Sequence, residues 1–377
     1  MIPYSLKDLI IYFLKLGAWG FGGPVALVGY MHRDLVDNKK WISDEDYKEG
    51  LALSQLAPGP LAAQLAIYIG YVHYRILGAT LVGFAFVLPS FVMVLAIGYA
   101  YVAYGGLPWM QAVFYGVGAA VIGIIAIGSY KLTTKSIGKD KMLWVIFIVL
   151  AVTTFITEQE ILALILVAGV AVWFIKAPPK WLGSSANGIL PTILLQVPPL
   201  TESRLWEIAW FFTKAGAFVF GSGLAIVPFL YGGVVKEYQW LNEQQFLDAV
   251  AVAMITPGPV VITVGFIGYL VEGFWGAVVA ALATFLPCYL FTILPAPYFK
   301  KYGKHPAIKA FVDGVTAAAI GAIAGAVLVL GKRTLTDIPS LIIALTTVVI
   351  LFRFKKLQEP VIIAVSAAIG ITIKMIL

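Results

Sequence analysis

The feature that most constrains this chain is the stretch from Gly50 to Tyr71, GLALSQLAPGPLAAQLAIYIGY, which is apolar throughout but carries Pro58-Gly59-Pro60 near its centre. Roughly 20 helical residues rising 1.5 Å each cross the hydrocarbon of a bilayer, so the stretch is long enough to span. Proline has no amide to give to a helix and clashes with the preceding turn, while Gly59 admits conformations closed to other residues. The stretch therefore predicts two half-helices meeting at an irregular turn inside the membrane. Hydrocarbon does not solvate open peptide groups, so such a turn must be buried in protein or face a polar cavity, which makes it a candidate binding site. A lone proline would suggest only a kink; two prolines around a glycine favour the site.

The surrounding chain fits a polytopic membrane protein. It is 61% hydrophobic and 12% charged, against about 25% charged residues in ordinary soluble domains. Apolar runs recur at Gly78–Ala103, Gln111–Tyr130, Met142–Ile156, Ile161–Ile175, Ala277–Leu294, Gly314–Leu330 and Leu341–Phe352. They lack the alternating polarity of membrane strands, which leaves helices and an all-α fold. The single cysteine, Cys288, excludes an internal disulfide, and His32, His73 and His305 have no metal-ligand spacing. No phosphate-cradling loop, serine elbow or other cofactor motif occurs, so no cofactor or metal is expected and an enzyme is disfavoured. The +7 balance resides mostly in loops between apolar runs, the pattern of membrane orientation rather than of a nucleic-acid face. The N-terminal apolar run is broken by Lys15 and lacks a cleavage signal, so it reads as mature structure.

The sequence repeats itself. At an offset of 199, Phe13, Lys15, Gly17, Phe21 and Gly22 meet Phe212, Lys214, Gly216, Phe220 and Gly221, Trp41 meets Trp240, and Pro58-Gly59-Pro60 meets Pro257-Gly258-Pro259. At an offset of 198, Ile69-Gly70-Tyr71 meets Ile267-Gly268-Tyr269, Gly78 meets Gly276 and Pro89 meets Pro287. Two homologous transmembrane repeats, 1–175 and 205–377, are expected on either side of a Pro- and Gly-rich linker at 176–204. Ser43 with Asp46, and Asn242 with Gln245, predict helix starts near 44 and 243 that run into the two Pro-Gly-Pro turns. Were the halves parallel, the cluster Lys131, Lys135, Lys139 and Lys141 would lie on the opposite side of the membrane from Lys300, Lys301, Lys304 and Lys309. Positive loops stay in the cytoplasm, so the simplest reading makes the halves inverted-topology repeats with both clusters inside.

Within this frame a few residues are positioned to handle charge. Lys15 and Lys214 are matched cations in apolar segments, and an unpaired buried ammonium needs an acid, a carbonyl cluster, water or an anionic ligand. Snorkelling to the interface is the alternative. Glu49 and Asp248 are matched acids nine residues before the first proline of each turn, suited either to pair with those lysines or to titrate during transport. Gly22, Gly23, Gly221 and Ser222 leave backbone uncovered, and Gln64 and Thr263 stand one turn past the prolines, within reach of a ligand at a half-helix start. His32 and Arg33 border the first helix, and their counterparts are Tyr231 and Gly232, so any role there is one-sided. The expected ligand site is thus Lys15, Gly22, Gly23, Pro58, Gly59, Pro60, Gln64, Lys214, Gly221, Ser222, Pro257, Gly258, Pro259 and Thr263, with Glu49, Asp248, His32 and Arg33 as coupling or charge-pairing groups.

FGGP, then MHRDLV with a tryptophan five residues beyond its valine, then LALSQLAPGPLAAQLAIYIGY resembles the chromate ion transporter family in its long, two-repeat form. The resemblance covers nearly the whole chain. It implies export of chromate across the inner membrane of a prokaryote by a multi-pass protein with antiparallel halves; no ATP-binding motif is present, so secondary active transport is expected, with a proton gradient as the candidate drive. The second half departs from it, with Phe-Gly-Ser-Gly for Phe-Gly-Gly-Pro and Thr263 for Gln64, which argues against a strictly symmetric cage. Paired half-helix N-termini near the midplane would suit a tetrahedral dianion. Sulfate is the competing substrate; an anion channel and an intramembrane enzyme are the alternatives from other classes. The lipid bilayer is the expected surround, no nucleic-acid partner is expected, and a homodimer is left open.

Overall fold

The computed structural model describes residues 4–21, 23–104, 108–158, 161–178, 203–218, 226–299, 305–354, 357 and 359–375. They form helices and no strands among the described residues. The first half runs α1 (Leu6–Trp19), α2 (Gly23–Met31) continued as a π-helix (His32–Asn38), α3 (Asp44–Leu56), α4 (Leu61–Tyr104), α5 (Pro108–Ser136), α6 (Lys141–Thr157) and α7 (Leu162–Lys176). The second half repeats that order as α8 (Arg204–Phe218), α9 (Ile226–Leu230) with its own π-helix (Tyr231–Glu237), α10 (Glu243–Ile255), α11 (Thr263–Ile293), α12 (Pro306–Thr334), α13 (Ile338–Arg353) and α14 (Glu359–Met375). Most of the expected linker, 179–202, lies outside the described residues. Among the described residues four helical stretches, Leu61–Tyr104, Trp109–Thr134, Val260–Tyr298 and Pro306–Thr334, are long and apolar enough to cross a membrane.

The repeat extends to backbone detail. Ser43 caps α3 by accepting from the Asp46 amide at 3.0 Å, and Asn242 caps α10 by accepting from Gln245 at 2.8 Å. Lys40 and Gln239, ahead of those caps, have φ of 51° and 52°. Arg75 at φ 52° and Gly273 at φ 58° mark equivalent sharp bends within α4 and α11. At these bends the chain doubles back. Gly70 lies against the Gly78 carbonyl and Gly268 against that of Gly276, so the short arms 61–74 and 263–271 fold onto the longer arms that follow. Small residues admit this close backbone approach, which drives helix association where lipid supplies no hydrophobic force.

The halves interlock. Small residues of α5 seat on the second half's last two helices, Gly116 against Ser366 and Gly370, and Gly123 against Ala344 and Thr347. Reciprocally, Gly314 of α12 seats on Ala168 and Val172 of α7, while Gly321 and Gly325 seat on Phe147 and Ala151 of α6. Each half's long central helix is thus covered by the other half's terminal pair. The buried residues Val117 to Ile127 of α5 belong to one core with Phe246, Phe266 and Leu330 of the second half.

Candidate functional site

Around each Pro-Gly-Pro the chain forms a helical hairpin. α3 ends at Leu56, α4 begins at Leu61, and Gly59 between them has φ 141°, a conformation that only glycine holds without strain. Gly50 of α3 lies against the Tyr68 ring of α4, so the two arms run side by side and the stretch 50–71 does not extend across a bilayer as its length suggested. In the second half, Gly258 has φ 94° and Thr263 Oγ1 donates to the Ala249 carbonyl at 2.8 Å, tying the arms in the same way. The arms are buried from Ala62 to Gly70 and from Val261 to Gly268. Buried arms around a non-helical tip place open backbone inside protein, the one setting where membrane depth tolerates it.

Each tip is seated on the opposite half. Ser90, next to Pro89 on α4, donates to the Pro257 carbonyl at 2.7 Å and to that of Gly17 at 3.3 Å, and the Gly258 amide donates to Gly20 at 2.9 Å. At the other tip a β-carbon on Gly59 would stand 2.7 Å from Gln64 Nε2 and 3.2 Å from Cys288 Sγ. Cys288 follows Pro287 as Ser90 follows Pro89. Gln64 donates to the Pro58 carbonyl at 2.7 Å, while its fully buried Oε1 has no hydrogen-bond partner. The second-half tip is therefore pinned by two hydrogen bonds from or to the first half, whereas the first-half tip faces a thiol and an unsatisfied acceptor. Gln64, Thr263 and both tips are among the residues expected from the sequence; Ser90 and Cys288 are not. The repeat register contained that signal, since both sit one place after a matched proline.

A cleft of about 630 Å³ opens beside α1, lined by Tyr12, Lys15, Gly20, Tyr30, Arg33, Asp34, Asn38 and Lys39 among others. The π-helix aims Arg33, Asp34 and Asn38 into it; π turns recur at functional sites because their wider winding re-aims side chains. Lys15 is exposed and Arg33 Nε pairs with Asp34 at 2.9 Å. Gly20 both lines the cleft and accepts from the Gly258 amide, so the second-half tip touches the cleft wall at that residue.

Other expected residues lie elsewhere. Lys214 is half-buried over the Trp210 ring at 5.7 Å. Asp248 accepts from Tyr101 at 2.7 Å and from Gln244 at 2.8 Å, and Glu49 lies near Tyr68. His32 bridges Asp37 at 3.2 Å and Asp44 at 3.3 Å, outside the cleft lining. Gly23 opens α2; Gly22, Gly221 and Ser222 lie outside the described residues.

Long apolar helices, two repeats of one helix order and paired buried hairpins fit a membrane-embedded protein, and its family and relatives make it a transporter and not an enzyme. The family described as Chromate transporter matches residues 7–173 and again 206–371, and the chain belongs to that family. It is 70% identical to the chromate transport protein of Cupriavidus metallidurans, over 98% of this chain and 93% of that protein. It is 64% identical to the probable chromate transport protein of Synechococcus elongatus, over 98% and 95%, and 29% identical to the chromate transport protein of Pseudomonas aeruginosa, over 98% and 92%. No solved structure matches the chain.

Proposed function

We propose that this chain exports chromate across a prokaryotic inner membrane as a multi-pass secondary transporter, with repeats 1–175 and 205–377 in inverted topology joined by a linker at 176–204. One observation carries the reading: each non-helical hairpin tip is seated on the opposite half, at Ser90 and at Cys288, so that motion between halves must move both tips. What supports inversion is the direction of equivalent helices. On α4 and α11, Thr80 bonds Tyr289 at 2.6 Å while Gly98 lies against Tyr269, and on α5 and α12, Gly118 faces Thr334 while Ile122 faces Gly331. Equivalent spanning helices that pack antiparallel are related by an axis in the membrane plane.

In this reading the helices break at Pro-Gly-Pro within the membrane and the tips, with Gln64 and Thr263, form the transport site. The site requires no nucleophile, only reversible dehydration of a dianion and alternate access. Asp248 and Glu49, on the hairpin arms, would carry a coupled proton. Sulfate shares the charge and shape of chromate and competes for the same groups.

The experiment is flux into proteoliposomes. The expected result is chromate uptake that saturates with concentration and accelerates when unlabelled chromate is loaded inside. Uptake that rises linearly without limit would replace the carrier by a channel, and inside-out vesicles with an imposed pH gradient would fix direction and coupling.

A further inference from the structure

The sequence repeat supplies a counterpart for every residue that lines the cleft beside α1, and among the described residues those counterparts are mostly rings and glycines where the first half has polar groups. Tyr12, Tyr30, Arg33, Asp34, Asn38 and Lys39 correspond to Phe211, Phe229, Gly232, Gly233, Glu237 and Tyr238. In the second half Phe211 is fully buried, stacked on Phe229 at 5.3 Å and edge-on to Tyr238 at 5.6 Å and Trp240 at 5.7 Å. A β-carbon at Gly233 would collide with the Phe211 ring, so rings fill the space that is open in the first half.

The open cleft is basic. Lys15, Arg33 and Lys39 line it, against Asp34 alone among acids, and that carboxylate already takes Arg33 at 2.9 Å and the Tyr12 hydroxyl at 3.4 Å. Lys39 rests on the Trp41 ring at 4.5 Å, which holds its ammonium at the rim without neutralising it. Asn38 and Tyr30 add neutral polar groups. The volume of about 630 Å³ far exceeds a five-atom oxyanion, so the ion enters with water of hydration and pays little desolvation. At the inner end Gly20 accepts from Gly258, which places the cleft directly against the second-half hairpin tip.

We infer that this cleft is a one-sided capture site for a tetrahedral oxyanion dianion, which it gathers from one face of the membrane and delivers to the adjoining Gly258 tip. The inference rests on the transporter reading but not on chromate in particular, since clustered cations attract any such dianion and raise its local concentration. Arg33 and Lys39 are positioning groups for entry, not part of the dehydrated site at the tips.

The test uses the full chain in phosphatidylcholine nanodiscs and in proteoliposomes, with Arg33→Gln/Lys39→Gln and the parent compared for chromate and for sulfate. The expected result is a roughly tenfold weaker equilibrium binding, with a flatter salt dependence. The half-saturating concentration should rise from the cleft face only, with unchanged maximal rate. Equal binding by the variant and the parent overturns the inference, as does a fall in maximal rate from both faces in folded protein. If sulfate binds through these residues and chromate does not, the cleft stands and the chromate reading falls. Repeating the titration in phosphatidylglycerol discs separates an anionic headgroup from a free ion. Binding and its loss in the variant should persist there; disappearance of both would make lipid the occupant and overturn the inference.

Discussion

The groove beside α1 and the equivalent surface beside α8 start from matched helices, each with a lysine two residues before a packing glycine, and become different environments. Gly17 seats on the Phe86 backbone and Gly216 on the Thr284 backbone in the same manner, so the helices themselves are held alike. The difference lies in what the following π-helix presents. Arg33, Asp34 and Asn38 line a polar cleft, whereas Gly233 admits the Phe211 ring into the matched place. The ionic contacts follow the same divide. At the second-half π-helix, Lys236 and Arg333 both pair with Glu158 and Glu243, tying the α6–α7 connection to the start of α10. Their first-half counterparts are the local pairs of His32 with Asp37 and Asp44, Arg33 with Asp34, and Lys48 with Asp44. Two repeats with one backbone plan thus give one open, basic entrance and one surface closed by rings and ion pairs.

The largest effect is expected at the tips. Gly258→Leu should abolish chromate transport with insertion intact, because φ of 94° strains any side chain and its β-carbon would meet Ser90 Oγ and the Gly17 carbonyl. Gly59→Ala should be milder than Gly258→Ala, since its nearest neighbours are the ends of the Gln64 and Cys288 side chains. Chromate resistance in cells at matched expression reads both, and equal loss from the two alanine variants would break the asymmetry between pinned and unpinned tips.

The lysine pair sharpens the comparison further. Lys15→Gln should weaken chromate binding about tenfold, on the order of 1.4 kcal/mol, because its ammonium lines the open cleft. Lys214→Gln should cost less, its ammonium lying over Trp210 beside a filled groove. Equal effects in a direct titration would make the two lysines equivalent in spite of their different surroundings.

Much of this was legible beforehand. The repeat register predicted the matched tips and the capped starts of α3 and α10, and it flagged the one-sidedness of Arg33 through Gly232. It did not reveal that the chain doubles back at Pro-Gly-Pro and again at Arg75 and Gly273. Those returns depend on Gly50 meeting Tyr68 and Gly70 meeting Gly78, and glycines at such spacings also suit an unbroken packed helix. The exchange of α5 and α12 between halves left no local signal, because a small residue packs equally well on either half. Lys15 and Lys214 looked alike because their difference is made by Phe211, an aromatic whose placement depends on the missing side chain at Gly233.

The smallest effect is expected from the ion pairs. Arg333 and Lys236 hold the Glu158 carboxyl down at about 2. A depressed carboxyl stabilises the fold above its unfolded value of about 4.3 and loses that contribution as pH falls toward 2. Glu158→Gln should therefore lower the melting midpoint slightly, by at most about 2 °C near neutral pH, and by progressively less below pH 4. A shift that persisted undiminished at pH 2 would assign it to packing and not to charge.

The central claim is that equivalent parts of the two halves face opposite sides of the membrane. Lys40 and Gln239 test it most directly, being matched, exposed and alike in backbone conformation at φ 51° and 52°. With Cys288 replaced by serine, as at the matched Ser90, the chain has no other cysteine. Lys40→Cys and Gln239→Cys can then be labelled singly with a membrane-impermeant thiol reagent in intact cells and in inverted vesicles. Reaction of one position only in cells and the other only in vesicles is the predicted result; reaction of both from the same face would contradict it.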